Sequence, residues 1–249
     1  MKWLWRITRA VSIGLLIGGI VFWWMRRNAA TSRVDEVRRR VAPNLKKQLL
    51  AKGFALGDAA FIRIFKETRE LELWLRSNNS GRFQLWKTYH ISAMSGKLGP
   101  KLGEGDGQAP EGFYEVASQA LNPNSAFHLS FDIGYPNAFD ALNNRTGSWI
   151  MVHGGNASAG CFAMTDPVVE EIYLIVEAAL QKGQPTFAVH VFPFRMTEDR
   201  MRKAVASEWL PFWENLQEGF ALFEETHVTP AVRVVDGSYL FEAAATSIQ

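Results

Sequence analysis

Trp149-Ile-Met-Val-His153-Gly-Gly-Asn-Ala-Ser-Ala-Gly-Cys161 is the stretch on which the reading of this chain turns. Its first four residues, two of them the β-branched Ile150 and Val152, read as a buried strand that delivers His153 at its end. A glycine-rich segment then brings the chain to Cys161, its single cysteine, eight residues past the histidine. A helix is expected next. Asp166 is placed to cap it, Pro167 suits its first turn, and Val168, Val169, Ile172, Ile175, Val176 and Ala179 give one apolar face before Gly183. Strand, glycine loop and helix thus frame one thiol and one imidazole. Glycines let backbone approach a substrate closely, and an imidazole within reach can hold a thiol as thiolate, the nucleophilic form. The plainer alternative is a buried cysteine that only packs.

Working outward, Phe61–Lys66 and Leu71–Arg76 are short alternating runs, and Phe83–Ile91 follows Asn78-Asn79-Ser80-Gly81, which together predict a meander of strands. Gly96–Gly112 is too rich in glycine and proline for regular structure and reads as a long ordered loop feeding a strand at Phe113–Val116. Long loops on a sheet scaffold often form the walls of sites. Phe187–Val191 returns as a strand. Beyond Arg195 the pattern turns helical, with Thr197 as a cap and an aromatic-rich segment from Glu208 to Glu225, and a hairpin closes the chain at Val232–Phe241 around Asp236-Gly237. The fold class expected is a mainly β domain with one helix after the Cys161 loop and an α-helical C-terminal extension.

With 249 residues, 47% of them hydrophobic, the chain can bury one sizeable core and carry appendages. Its net charge is only +2, and the basic residues crowd the first 50 positions, where Arg26, Arg27, Arg33, Arg38, Arg39 and Arg40 dominate. That distribution argues against a nucleic-acid-binding body and suits a membrane surface. Residues 1–27 carry Lys2, Arg6 and Arg9, then an apolar run from Ala10 to Met25 flanked by Trp3, Trp5, Trp23 and Trp24, and tryptophans at both ends mark membrane interfaces. Sixteen residues make a helix of about 24 Å, the size of a signal-peptide core or a short anchor. The run ends in Trp-Trp-Met-Arg-Arg, without the small residues a signal peptidase needs, so an uncleaved N-terminal membrane-anchor helix is expected. Residues 28–57 read as a basic helical stalk closed by Gly53 and Gly57. The arginines behind the apolar run would, by the positive-inside rule, keep the body in the cytoplasm. A lone cysteine on an exported chain has no partner within it, and is therefore shielded or used.

Several blocks in order resemble the YkuD-type L,D-transpeptidase catalytic domain, and within it the YafK subfamily: Leu98–Lys101, Gly105-Asp106, Pro110–Tyr114, Ile133–Asp140, His153-Gly154, Ser158–Thr165 and Pro193–Thr197. The resemblance covers about residues 58 to 240. It implies a YkuD-like β-sandwich, with a catalytic domain at 58–196 and the helical and hairpin extension at 197–249. It also implies no cofactor, no metal, and peptidoglycan stem peptides as substrate. The body would lie in the periplasm on an inner-membrane anchor, against the arginine distribution. Cys161 matches the nucleophile and His153 the histidine that activates it, next to Gly154, and the backbone N–H groups of Gly160 and Cys161 are the natural oxyanion donors. The carbonyl attacked would be that of the L-centre of meso-diaminopimelate. An amine acceptor gives a 3-3 crosslink or an attached protein; water gives a cut bond. The commoner family pattern has a longer insert after the His-Gly, a second histidine where Ala159 stands and an arginine where Ala163 stands. The short form is that of the YafK subfamily, whose resemblance implies hydrolysis of the link between peptidoglycan and a covalently attached envelope protein.

A substrate with free carboxylates calls for cations, and Lys97, Lys101, Arg145 and Arg195 are the candidates. Ser158 is placed to orient the turn before Cys161. Tyr135 and Tyr114 are candidates to line the groove, and Asp106 to tie the loop at Gly105 and Gly107. His90, His128, His190 and His227 have no metal-ligand spacing; a zinc hydrolase built on His153, Cys161 and His190 would lose activity to a chelator. A catalytically inactive wall-binding module with a buried cysteine is the rival of another class, and thiol alkylation separates the two.

Overall fold

The computed structural model describes residues 32–77 and 80–242. The expected anchor at residues 1–27 lies outside the described residues, among which no helix is long and apolar enough to cross a membrane. The chain divides into two compact units, one through Arg40 and one from Val41 onwards. Helix α1 (Ser32–Ala51) supplies residues to each. In the second unit Leu45, Leu49 and Phe54 are buried, the Phe54 ring meets Trp86 edge-on at 6.3 Å, and Lys52 Nζ donates to the Trp86 carbonyl at 2.8 Å. From Val41 on, the sequence expected as a stalk is therefore part of the folded domain, held by apolar burial that its basic composition concealed.

Strands β1 (Ala59–Phe65), β2 (Glu70–Arg76) and β3 (Gln84–His90) form the expected antiparallel meander. Strand β4 (Gly112–Ala117) leads through one 3-10 turn into a second, four-stranded sheet. Its members are β5 (Leu121–Asn122), β6 (Ser130–Asp132), β7 (Met151–His153) and β8 (Phe162–Ala163), in that order. Between β6 and β7 sits α2 (Ala138–Leu142), closed by a capping box of Asn137 and Asp140. After β8 comes α3 (Asp166–Gln181), and β9 (Thr186–Phe192) then inserts into the first sheet, parallel to β1 and antiparallel to β4, for an order β3-β2-β1-β9-β4. Helix α3 contacts β1 and β9 on one side and β6 and β7 on the other. That position between sheets explains why Glu170, Tyr173 and Leu174 are buried beside the apolar face read from the sequence.

The C-terminal segment comprises α4 (Glu198–Arg202), α5 (Leu210–Thr226) and the hairpin of β10 (Ala231–Val235) and β11 (Ser238–Glu242). Asp236 and Gly237 both take positive φ, 50° and 75°, which matches the twist of a two-residue hairpin turn. This segment is joined to the domain by a shared core: Trp213, Leu216, Phe220 and Tyr239 cluster with Phe65, Phe113, Phe192, Phe194 and Met196. Gly219 makes the approach possible, since a Cβ there would lie 2.5 Å from the Phe241 ring and 2.6 Å from that of Phe113.

Candidate active site

The parallel pairing of β7 and β8 sets Val152 beside Phe162 and His153 beside Ala163. Extending that register by one residue puts Cys161 beside Met151, and because side chains alternate along a strand, Cys161 and His153 share one face, two positions apart. The Met151 N–H donates to Cys161 Sγ at 3.3 Å, in agreement with that placement, and the thiol donates to the Trp149 carbonyl at 3.5 Å.

His153 is 3% exposed, its ring packed on Phe127 with centroids 4.8 Å apart. Its Nδ1 lies 2.6 Å from the carbonyl of Gly154. A carbonyl only accepts, so Nδ1 carries the hydrogen and Nε2 is the basic nitrogen. Gly154 is itself held by Phe127 and Leu129, to whose carbonyls its N–H donates at 3.0 and 3.1 Å, and a Cβ there would fall 2.5 Å from Asp166 Oδ1. Asp166 does not cap α3, whose N-cap is Thr165 without a side-chain bond; its carboxylate accepts the Gly155 N–H at 2.8 Å. The residue read as a helix cap is thus a strut for the loop that follows His153.

Burial pushes the Cys161 thiol above its ordinary 9.0, and the Asp132 carboxylate adds to that, against the Met151 N–H and Lys101, which pull it down. Burial likewise pushes His153 below 6.5. Desolvation thus disfavours the charged form of each group, against the thiolate held by imidazolium that the sequence suggests. Among the described residues neither ring nitrogen is hydrogen-bonded to Sγ.

Ser158, a candidate for substrate binding and for orienting the turn, donates from Oγ to the Cys161 carbonyl at 2.6 Å and so ties the turn before the thiol. Gly160 has φ +102°, and a Cβ there would meet the Gln108 carbonyl at 3.1 Å. Its N–H donates to Ser95 Oγ at 2.7 Å. That group, expected as an oxyanion donor, is engaged, whereas the Cys161 N–H has no protein partner among the described residues.

The loop Gly96–Gly112 forms the neighbouring wall, fastened by a buried ion pair. Lys66 Nζ lies 2.9 Å from Glu111 Oε1 and donates to the carbonyls of Gly99 at 2.6 Å and Ala109 at 2.8 Å. Glu111 accepts from Gly99 N at 2.7 Å and from Trp213 Nε1 on α5 at 2.8 Å. Asp106, held at about 2 by backbone N–H groups and Lys101 although burial opposes this, gathers Leu102, Gly103 and Gln108.

Of the four candidate cations, Lys101, Arg145 and Arg195 are engaged internally, whereas Lys97 is exposed. Lys101 is buried, with Nζ on Asp106 Oδ1 at 2.6 Å and the Gly103 carbonyl at 2.7 Å. Arg145 is buried on Asp140 at 3.0 Å, its guanidinium over Phe139 and Phe212. Arg195 pairs with Glu70 and Glu72 of β2 and covers Phe65, on the five-stranded sheet. Tyr135 is 4% exposed, its hydroxyl donating to the carbonyls of Lys101 and Thr146. Tyr114 is fully buried, on Asp140 and the Glu111 carbonyl. His190 lies on β9 with its ring between Phe61 and Phe113, far from a metal role with Cys161; among the described residues no cluster of metal-ligating side chains occurs. Sequence reasoning missed Ser95, Phe127, Gln108 and the exposed Trp149, whose φ of 58° no local motif announces.

The profile of the YkuD family, described as the L,D-transpeptidase catalytic domain, matches residues 60–191. The chain is 40% identical over 200 residues to the Escherichia coli K12 protein named "Putative L,D-transpeptidase YafK", covering 80% of this chain and 78% of that one, and equally to its counterpart in strain O157:H7. Among solved structures, the helical cell shape determining protein Pgp2 of Campylobacter jejuni aligns at 19% identity with a TM-score of 0.44, over 72% of this chain and 67% of that one. The matched profile spans β1 to β9 and contains both His153 and Cys161. The chain therefore belongs to the YkuD family of L,D-transpeptidase catalytic domains, enzymes of peptidoglycan metabolism.

Proposed function

We propose that the chain is a cysteine-dependent enzyme that opens an amide bond at the L-centre carbonyl of meso-diaminopimelate, with Cys161 as nucleophile and His153 as base. The observation that carries this reading is the pair itself: a half-buried thiol and an imidazole on one face of β7/β8, with the imidazole fixed through Nδ1 so that Nε2 is the base. Nε2 takes the thiol proton as Sγ attacks the carbonyl carbon, and the Cys161 N–H receives the oxyanion. The C–N bond then breaks, His153 returns the proton to the leaving amine, and a thioester remains on Cys161. Water or a second amine resolves it.

Water is the acceptor favoured here, giving hydrolysis of the link between peptidoglycan and a covalently attached envelope protein. Ala163, where the commoner pattern has an arginine, is fully buried and exchanges hydrogen bonds with Ala93 through its N–H and carbonyl, so no side chain there reaches substrate. The alternative is transpeptidation, making 3-3 crosslinks or attaching proteins. Residues 1–27 would anchor the chain in the inner membrane with the catalytic domain in the periplasm, where such substrates lie.

The test is to incubate the full-length chain with sacculi carrying covalently bound protein, beside Cys161→Ala, and read the muropeptides by mass spectrometry. Released protein and free tripeptide stems, absent in the variant, support hydrolysis; new 3-3 crosslinks or exchanged terminal D-amino acids mean transpeptidation. Residual turnover in Cys161→Ala within about tenfold of the parent would remove the nucleophile from the mechanism.

A further inference from the structure

We propose that Ser95 is a positioning residue that sets the Gly160–Cys161 peptide for oxyanion binding, by clamping the nucleophile turn to the loop Gly96–Gly112. The inference rests on Cys161 being the nucleophile. Ser95 Oγ is placed between two chains: it accepts from Gly160 N at 2.7 Å and donates to the Gly107 carbonyl at 2.6 Å. The same short segment is laid on β8, where Ala93 bridges Ala163 and Ser92 donates to the Ala163 carbonyl at 2.8 Å. On the other side of the turn, Gly160 takes φ +102°, and a Cβ there would press on the Gln108 carbonyl at 3.1 Å.

The turn is thus held from two directions by one loop, and Ser95 is the side chain that does it. That loop is in turn fastened by Lys66 and Glu111, the latter bonded to Trp213 of α5. A hydroxyl that both accepts and donates fixes the Gly160 N–H and the plane of the Ala159–Gly160 peptide, and the Cys161 N–H beyond it is then set by Gly160 at φ +102° against Gln108 and by the Ser158 bond to the Cys161 carbonyl. Preorganised N–H groups matter only for a reaction that develops an oxyanion, which separates this role from general support of the fold.

The experiment exploits that difference with two reagents and no wall substrate. p-Nitrophenyl acetate acylates Cys161: the S–C bond forms through a tetrahedral oxyanion, the C–O bond breaks, p-nitrophenolate leaves, and the thiol proton passes to His153. Iodoacetamide alkylates the same thiol by direct displacement of iodide, with no oxyanion. In the full-length chain, Ser95→Ala is expected to slow the p-nitrophenolate burst by about tenfold or more while alkylation stays within about twofold, and Ser95→Thr, which keeps the hydroxyl, to restore the burst. Should Ser95→Ala fail to fold, the isosteric pair Ser95→Val and Ser95→Thr gives the same comparison. Equal slowing of both reagents, or no slowing of either, overturns the proposal. A slowed burst in a chain that does not act on sacculi would leave this role standing and refute only the assigned substrate.

Discussion

The desolvation that disfavours the charged forms of Cys161 and His153 is the most consequential electrostatic feature of the site, and the pH dependence of thiol alkylation measures it directly. The thiol is raised above 9.0 and the imidazole lowered below 6.5. Near neutral pH the thiolate is then the minor form. Alkylation by iodoacetamide follows the thiolate, and its rate should climb by nearly tenfold per pH unit from 7 to 9, with the midpoint beyond. A neutral imidazole supplies no cation to hold the thiolate, so His153→Ala should change the rate at pH 9 by less than about threefold, while it removes turnover on wall substrate. A rate that levels off with a midpoint below 8, or one that collapses in His153→Ala, would show an ion pair at rest and refute the reasoning. The expected result assigns His153 to proton transfer during attack and not to maintenance of a stored thiolate.

Three further outcomes follow from the fold. Glu111→Ala leaves the Lys66 ammonium buried with two carbonyls and strips Trp213 Nε1 and Gly99 N of their acceptor, so it should cost about 3–5 kcal/mol and lower the melting temperature by about 6–20 °C in a thermal scan. Gly219→Ala drives a methyl between Phe113 and Phe241 and should cost about 1–3 kcal/mol by denaturant titration. His190, lowered to about 3 by burial, is neutral when folded but titrates near 6.5 when unfolded; its contribution is complete above pH 6.5 and lost as pH falls toward 3. His190→Phe should therefore make the decline in stability between those values shallower, as read by denaturant midpoints across pH; an unchanged slope would assign the acid sensitivity elsewhere.

What the sequence showed well is what depends on local pattern. Alternation placed β1 and β2, the 3.6-residue period placed α3, and Asp236-Gly237 marked the final turn, because each is a property of a few neighbouring residues. The Cys161–His153 pair was legible for the same reason, since strand, glycines and thiol lie within thirteen consecutive residues. Ser95 was not, because its partners are Gly107 on one side and Gly160 on the other, 65 residues away, and a serine before a glycine-rich loop carries no mark of what it will meet. Asp166 had the position of a helix cap and acts instead on Gly155, where a backbone donor was the stronger claim on its carboxylate.

The internal pairing of the candidate cations says something about the site. Each was named because a substrate carboxylate needs a counter-charge, yet Lys101 and Arg145 each have an aspartate five residues away, Asp106 and Asp140, and burial forces such pairs to close. What lies near the thiol once those pairs are formed is Asp132, bonded to the Gly134 N–H and raised by burial, together with a lysine already neutralised by Asp106. The electrostatics around Cys161 therefore oppose stored negative charge on sulfur, and the site gains by creating the thiolate only as the carbonyl arrives. Burial, which the sequence signals only as apolar content, thus decides both which ions pair and when the thiol becomes a nucleophile.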